Sequence, residues 1–260
     1  MEKVVQQISR HKLIHGDCLE ELRKLPDESV DLVFADPPYG LAKKNGLGWK
    51  YSKHITLQEA WDIFSKDELL AFNLKWVTEC MRVLKHGGSM WLCGSFHNIY
   101  QLGFILQHLD AKINNSIVWF KPNAQPNITC RMFTESTEHL IWAVKNHSKT
   151  KWTFNYPDTK NLISDGLNPQ GKQTRNVWSI PLTPRKEKWA GEHPTQKPIE
   201  LLRRIILSCT KERDLILDPF VGSGTTSVVA KSLKRNSIGI DKEKKYLDMA
   251  KKRLSQSILN

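Results

Sequence analysis

Two hundred and sixty residues with 40% apolar side chains are enough for one large α/β core or two small ones, and no apolar run approaches the length needed to cross a bilayer. The 39 Lys and Arg against 27 Asp and Glu give a formal charge of +12, which favours a polyanionic partner, while the lack of a spanning run sets membrane roles aside. Five cysteines without paired spacing (Cys18, Cys80, Cys93, Cys130 and Cys209) follow an N-terminus that lacks an apolar leader, so a cytoplasmic, reduced chain free of structural zinc is expected.

In chain order, Lys12–Gly16 reads as a short strand, and Asp17 then opens a helix with Leu19, Leu22 and Leu25 at helical spacing, ended by Pro26 and Asp27. The apolar run 30–35 is a strand. Residues 40–64 follow as a polar excursion with three glycines and four lysines, expected to be a mobile loop that touches DNA. Helix periodicity through Leu70, Leu74, Val77 and Met81 predicts a helix over 66–84, stopped by Lys85-His86-Gly87-Gly88. Strands are predicted at 89–93, 116–120 and 139–144, with a helix at 97–109. From 145 to 188 the pattern breaks into a polar stretch with nine Lys or Arg against three acids, and 145–192 is expected to be a target-reading insertion. A helix at 198–210, a strand at 215–217, a helix at 225–234, a strand at 237–240 and a last helix from 242 complete a mostly parallel α/β pattern in one domain over 1–260.

Two motifs carry chemistry. The first is Asp36-Pro37-Pro38-Tyr39 at the end of the 30–35 strand: a carboxylate at a strand tip, two prolines that fix the backbone, and an aromatic ring. A turn is the simpler reading of Asp and Pro, but the tip also suits a flat, amine-bearing molecule. The second is Leu215 to Thr226, a strand, a glycine-rich turn and a helix start, in which Gly222 and Gly224 let the backbone approach a ligand. It lacks the Lys of a phosphate-binding loop and a full Gly-x-Gly-x-x-Gly. About twenty residues on, Asp241 ends a strand where a carboxylate grips a ribose, or else caps a helix. Together these suggest a nucleoside cofactor without a phosphate chain, which S-adenosylmethionine satisfies.

Together these residues make the chain resemble the β group of DNA amino-methyltransferases. His15-Gly16-Asp17-Cys18, Asp36–Tyr39, His193-Pro194-Thr195-Gln196-Lys197-Pro198, Asp218–Thr226 and Gly239–Asp241 all match in order. Within the group it is similar to the second adenine methyltransferases of DpnII-type restriction systems, through Gly94–Tyr100, Asn127–Arg131 and Glu187–Gly191, and also to HinfI- and MboII-type enzymes.

The resemblance implies a circularly permuted, seven-stranded, Rossmann-like α/β sheet with helices on both faces and the catalytic half first. It implies transfer of a methyl group from S-adenosylmethionine to adenine N6. Asp36 and the Pro37 carbonyl would accept hydrogen bonds from the amino group, Pro38 would stiffen the turn, and Tyr39 would stack on a base drawn out of the duplex. Asp17 would meet the cofactor's adenine, although a helix N-cap is the competing reading. Asp218, Phe220 and Gly222 would form its methionine side, Ser223, Gly224 and Thr225 would also bind the cofactor, Asp241 would hold its ribose, and Thr195 and Lys197 would meet its carboxylate. His193 reads as structural or cofactor-adjacent.

Phosphate contacts are expected from Lys43, Lys44, Lys50 and Lys53, and guanine contacts from Arg131 and Arg175. The partner is double-stranded DNA, with single-stranded DNA a second candidate, and related enzymes are often homodimers. GATC is favoured over GANTC because the chain ends just after its last helix, without the extension of HinfI-like enzymes. The rival readings are a cytosine-N4 methyltransferase, where Ser more often replaces Asp36, an RNA adenine methyltransferase, and a silent DNA-binding protein.

Overall fold

The computed structural model describes residues 11–40, 62–127, 130–145 and 151–256. Trp49 and the lysines at 43, 44, 50 and 53 therefore lie outside the described residues, as does nearly all of the 40–64 excursion. The elements run β1 (His11–His15), α1 (Cys18–Arg23), β2 (Val30–Ala35), α2 (Lys66–Val83), β3 (Leu84–Gly94), α3 (Ile99–His108), β4 (Lys112–Phe120), β5 (Thr137–Val144), α4 (Tyr156–Leu162), β6 (Val177–Ser179), α5 (Ile199–Cys209), β7 (Leu215–Asp218), α6 (Thr225–Ser232), β8 (Asn236–Asp241) and α7 (Lys244–Ser255). They form one sheet in the order β1-β8-β7-β2-β3-β5-β4-β6. Neighbours are parallel throughout, except that β5 runs against both β3 and β4.

The sheet therefore has eight strands among the described residues, not seven. The added strand is β6, three residues long, inside the stretch where no alternation was visible. It exists because Trp178 is core: the indole lies in line with Trp91 and Trp142, and its N–H donates to the Arg175 carbonyl 2.9 Å away. Trp152 packs against the same cluster, whereas Trp189 is about half exposed.

Strand alternation splits the core into two layers. Val33, Ala35, Met90 and Leu92 pack with Leu22, Trp76, Leu102 and Leu106 of the first three helices. Leu32, Phe34 and Trp91 face Leu201, Leu202, Ile205 and Ile206 of α5 and Val229 of α6. Cover on both faces explains why the parallel strands read as nearly unbroken apolar runs.

Two local expectations change. The buried stripe of α2 is Leu69, Asn73, Trp76, Val77 and Cys80, so Leu70 and Leu74 stand outward; Asn73 conceals the stripe because it is polar, held by the Trp76 indole and Gln101. Lys85–Gly88 does not follow the helix as a free stop. It bulges within β3, where pairing with β2 jumps from Val30–Leu84 to Leu32–Ser89 and Gly87, at φ +75°, donates to the Lys145 carbonyl. No helix among the described residues is long and apolar enough to cross a membrane.

Candidate active site

Five adjacent parallel strands, β1, β8, β7, β2 and β3, finish on one edge. Their tips present Asp17, Asp241, Asp218, Asp36 and Gly94 in that order, which is where open α/β sheets bind ligands. Because β5 is reversed, it brings its first residues to the same edge: Gly94 pairs with His139, and Trp119 near the end of β4 pairs with Glu138.

The Asp36 carboxylate is bonded at both oxygens. Tyr39 donates its hydroxyl to Oδ1 at 2.7 Å, and Lys197 donates Nζ to Oδ2 at 2.5 Å. Glu138 Oε2 lies 3.3 Å from the Tyr39 hydroxyl and 3.5 Å from Lys197 Nζ, while Lys121 Nζ is 3.3 Å from the other Glu138 oxygen. Pro37 and Pro38 are buried beneath this cluster. Burial raises the Asp36 carboxyl above its ordinary range, although Lys197 opposes the rise. For Glu138, burial pushes the same way, but Lys197 and Lys121 outweigh it and hold this carboxyl low. Burial also lifts the Tyr39 phenol, reinforced by Asp36, so the hydroxyl stays a donor. Lys197 was expected at the cofactor carboxylate; here its ammonium is engaged by Asp36.

Beside Asp36 opens a cavity of about 290 Å³, lined among others by Asp17, Pro38, Thr195, Phe220, Gly222 and Asp241. Asp17 caps α1 through its Oδ1, which accepts the Leu19 and Glu20 amides, and it also lines the cavity. Asp241 is not the cap of the last helix, whose N-cap is Glu243. Its carboxylate instead accepts the Gly222 amide at 2.8 Å and the Glu243 amide at 2.8 Å, which binds the glycine turn to the tip of β8. Asp218 braces the turn from below through the Phe220 amide and the Thr226 hydroxyl, and burial pushes its carboxyl up to about 7.

The two turn glycines differ in purpose. Gly222 adopts φ +49°, and a Cβ there would sit 2.8 Å from His193 Nε2, so the missing side chain lets the turn pack against the His193 ring at the cavity wall. Gly224 adopts φ +81° and lies against Ala250, 2.6 Å from a would-be Cβ, which makes it a helix-packing glycine. The Ser223 and Thr225 hydroxyls are gripped by the buried Arg253 of α7 at 3.0 and 2.9 Å. They line a small recess of about 30 Å³, shared with Asp218, Thr195 and Lys197, as stiffened parts of the turn.

Sequence reasoning missed Glu138, Lys121 and Arg253, and also Phe64, Phe72 and Tyr246, which line the cavity. His193, expected to be structural or cofactor-adjacent, packs its ring 4.2 Å from that of Tyr246 at the cavity wall. Phe220 is fixed edge-on against Trp76 with ring centroids 5.2 Å apart.

Arg131 lies on the exposed β4–β5 connection, at the catalytic edge. Arg175 does not reach that edge. It precedes β6, level with the middle of β4, and four strand spacings of about 4.8 Å set it roughly 19 Å to the side of β2.

A carboxylate at the tip of β2, a glycine turn after β7 and an acid after β8, all around one cavity, define a nucleoside-cofactor methyltransferase of the open α/β class. The lining fits S-adenosylmethionine: the Asp17 and Asp241 carboxylates offer acceptors to a nucleoside, and Phe72, Phe220 and Tyr246 give it aromatic walls. The N6/N4 DNA methylase family matches residues 30–252, and the chain belongs to it. It is 49% identical over 244 residues to the type II methyltransferase M2.DpnII of Streptococcus pneumoniae, covering 93% of this chain and 88% of the relative. It is 44% identical over 254 residues to the type II methyltransferase M.HinfI of Haemophilus influenzae, covering 94% and 68%. Among solved structures, the complex of M1.HpyAVI with S-adenosylmethionine superposes with a TM-score of 0.68 at 28% identity, covering 95% of this chain and all of that one. The chain is an S-adenosylmethionine-dependent DNA methyltransferase.

Proposed function

We propose that this enzyme methylates adenine N6 within GATC and is the modification arm of a restriction system in the cytosol. The observation that carries the reading is Asp36 at the tip of β2, an acid acceptor beside the cofactor cavity. An exocyclic amine is a poor nucleophile because its lone pair is spread into the ring. Asp36 and the Pro37 carbonyl accept its two N–H groups, which draws the nitrogen toward tetrahedral geometry and fixes the direction of its lone pair. Tyr39 keeps the carboxylate oriented through its hydroxyl and offers its ring to the extruded base. Asp17 and Asp241 hold the nucleoside end of the cofactor, with Thr195 and the 218–225 turn at the other end. S-adenosylmethionine, when bound, supplies the electrophilic methyl group. GATC is preferred to GANTC because similarity to the DpnII-system enzyme is the stronger of the two. Arg131 is assigned the base contact, on the support of its exposed position at the ligand edge of the sheet.

The test incubates the protein with labelled S-adenosylmethionine and unmethylated genomic DNA, digests to nucleosides, identifies the product by mass and maps its sites. N6-methyladenine at GATC supports the reading. N4-methylcytosine refutes the choice of base, and label at GANTC refutes the site. Parallel reactions on single strands and duplexes, with sedimentation of the same preparation, decide the preferred substrate and between monomer and homodimer.

A further inference from the structure

Glu138 does nothing for the sheet that another residue could not do. It sits near the start of β5 opposite Trp119, where any strand-forming side chain would pair, yet it is a carboxylate with only 17% of its side chain exposed. Burying a charge is costly unless partners compensate it. The partners here all belong to the reaction centre: Lys197, the Tyr39 hydroxyl and Lys121, with the Cys93 thiol at 3.7 Å. We propose that Glu138 is a positioning residue for methyl transfer, which shares Lys197 and Tyr39 with Asp36 and so leaves Asp36 an anionic acceptor for the amino group of the base. This rests on the reading of Asp36 as the group that receives that base.

The reasoning is one of charge. Asp36 and Glu138 balance Lys197 and Lys121, so the cluster is neutral. During transfer the N6 lone pair forms the new bond to carbon, the carbon–sulfur pair stays on sulfur, and N6 carries positive charge until one of its protons passes to Asp36 and on to solvent. Without Glu138 the cluster would hold a net positive charge beside that nitrogen. Lys197 would then close on Asp36 alone, weakening it both as acceptor and as proton receiver. Lys197 thus stays close enough to organise the carboxylate while a second acid carries part of its charge.

Glu138→Gln tests this in the full chain, by single-turnover transfer to duplex DNA at saturating S-adenosylmethionine from about pH 6 to 10. The rate is expected to fall about tenfold or more, while cofactor affinity by calorimetry stays within about twofold. Asp36 still holds the Lys197 ammonium well above the ordinary lysine range, so Lys197 keeps its proton and the deficit should persist across the whole range. The groups facing Lys197 are Asp36 and Tyr39 after β2, Cys93 of β3, Lys121 after β4 and Glu138 of β5, with His193 and Asp218 lining the adjoining recess. Glu138→Asp should restore part of the rate. The double variant Glu138→Gln with Lys197→Gln, neutral again, should outpace Glu138→Gln alone. A native rate and native pH profile in Glu138→Gln overturns the proposal, as does a double variant that loses the product of both single losses. Should Glu138→Gln fail to fold, Glu138→Asp and the double variant make the same comparison. Wild-type protein that labels no adenine would refute the activity itself, whereas labelled adenine with an indifferent Glu138→Gln refutes only the role of Glu138.

Discussion

Lys197→Met is the sharpest perturbation of the catalytic cluster. The ammonium it removes has only 8% of its side chain exposed and lies 2.5 Å from Asp36 and 3.5 Å from Glu138. Met fills the same volume, so the change is electrostatic: two buried carboxylates lose their shared cation and keep Tyr39, Lys121 and the Cys93 thiol. Removing one partner of a buried ion pair costs about 3–5 kcal/mol, because the remaining charge stays desolvated. The cost must depend on pH. In the native protein Lys197 opposes the burial that raises Asp36, and with Lys121 it holds Glu138 low. Without Lys197 both carboxyls rise, and each contributes stability that is present at acid pH and lost as pH climbs through its raised value.

Relative to wild type, the variant should therefore be about 3–5 kcal/mol less stable near pH 8, a melting shift on the order of 10 °C for a chain of this size. At about pH 5, closer to where the orphaned acids take up protons, the deficit should be smaller. Denaturant and thermal melts across this range measure it, with methyl transfer followed alongside. A deficit equal at both pH values would refute the charge argument and leave only packing, and no deficit at all would mean that the Lys197–Asp36 contact is not formed in solution.

The same geometry sets the outcome of five further substitutions. Gly222→Ala should weaken S-adenosylmethionine binding by about tenfold or more in calorimetry, since its Cβ would displace His193, which lines the cavity. Gly224→Ala should instead destabilise the fold by about 2 kcal/mol through left-handed strain and the Ala250 contact, with little change in affinity. Asp218, raised to about 7 by burial, holds a proton in the folded chain that the unfolded chain releases near pH 4, so native stability declines as pH rises through that window. Asp218→Asn should remove that decline, worth about 2–3 kcal/mol between pH 5 and 8 in denaturant melts. Arg131→Ala should weaken binding to the target duplex by about tenfold in fluorescence anisotropy, whereas Arg175→Ala should leave it unchanged.

Most of the parallel framework was legible because strands buried on both faces announce themselves as apolar runs and end in residues unlike the run. Val30–Ala35 followed by Asp36, and Leu215–Leu217 followed by Asp218, are such cases. The outward half of the sheet was harder to read. β6 is anchored by one tryptophan and has too few residues to alternate, and the α2 stripe includes Asn73, whose polarity hides a buried position. Arg175 was attractive because of its composition, but only strand order reveals that it lies level with mid-sheet on the far side.

The location of Glu138 has one physical cause. In a parallel sheet the ligand edge is reached by the residue after a strand, and Asp17, Asp36, Asp218 and Asp241 all obey that rule by lying at or just past a strand end. β5 is the strand that runs the other way between β3 and β4, so its beginning, not its end, arrives at the edge. A carboxylate there precedes its apolar run, Leu140 to Val144, and looks like the polar margin of a hairpin. The same reversal brings Lys121, just past the end of β4, across from it, because consecutive antiparallel strands place the end of one beside the start of the next. The neutral four-charge cluster around Asp36 is thus a product of topology: two of its members follow from the strand-tip motif and its distant lysine, and the other two exist as neighbours only because one strand turns back.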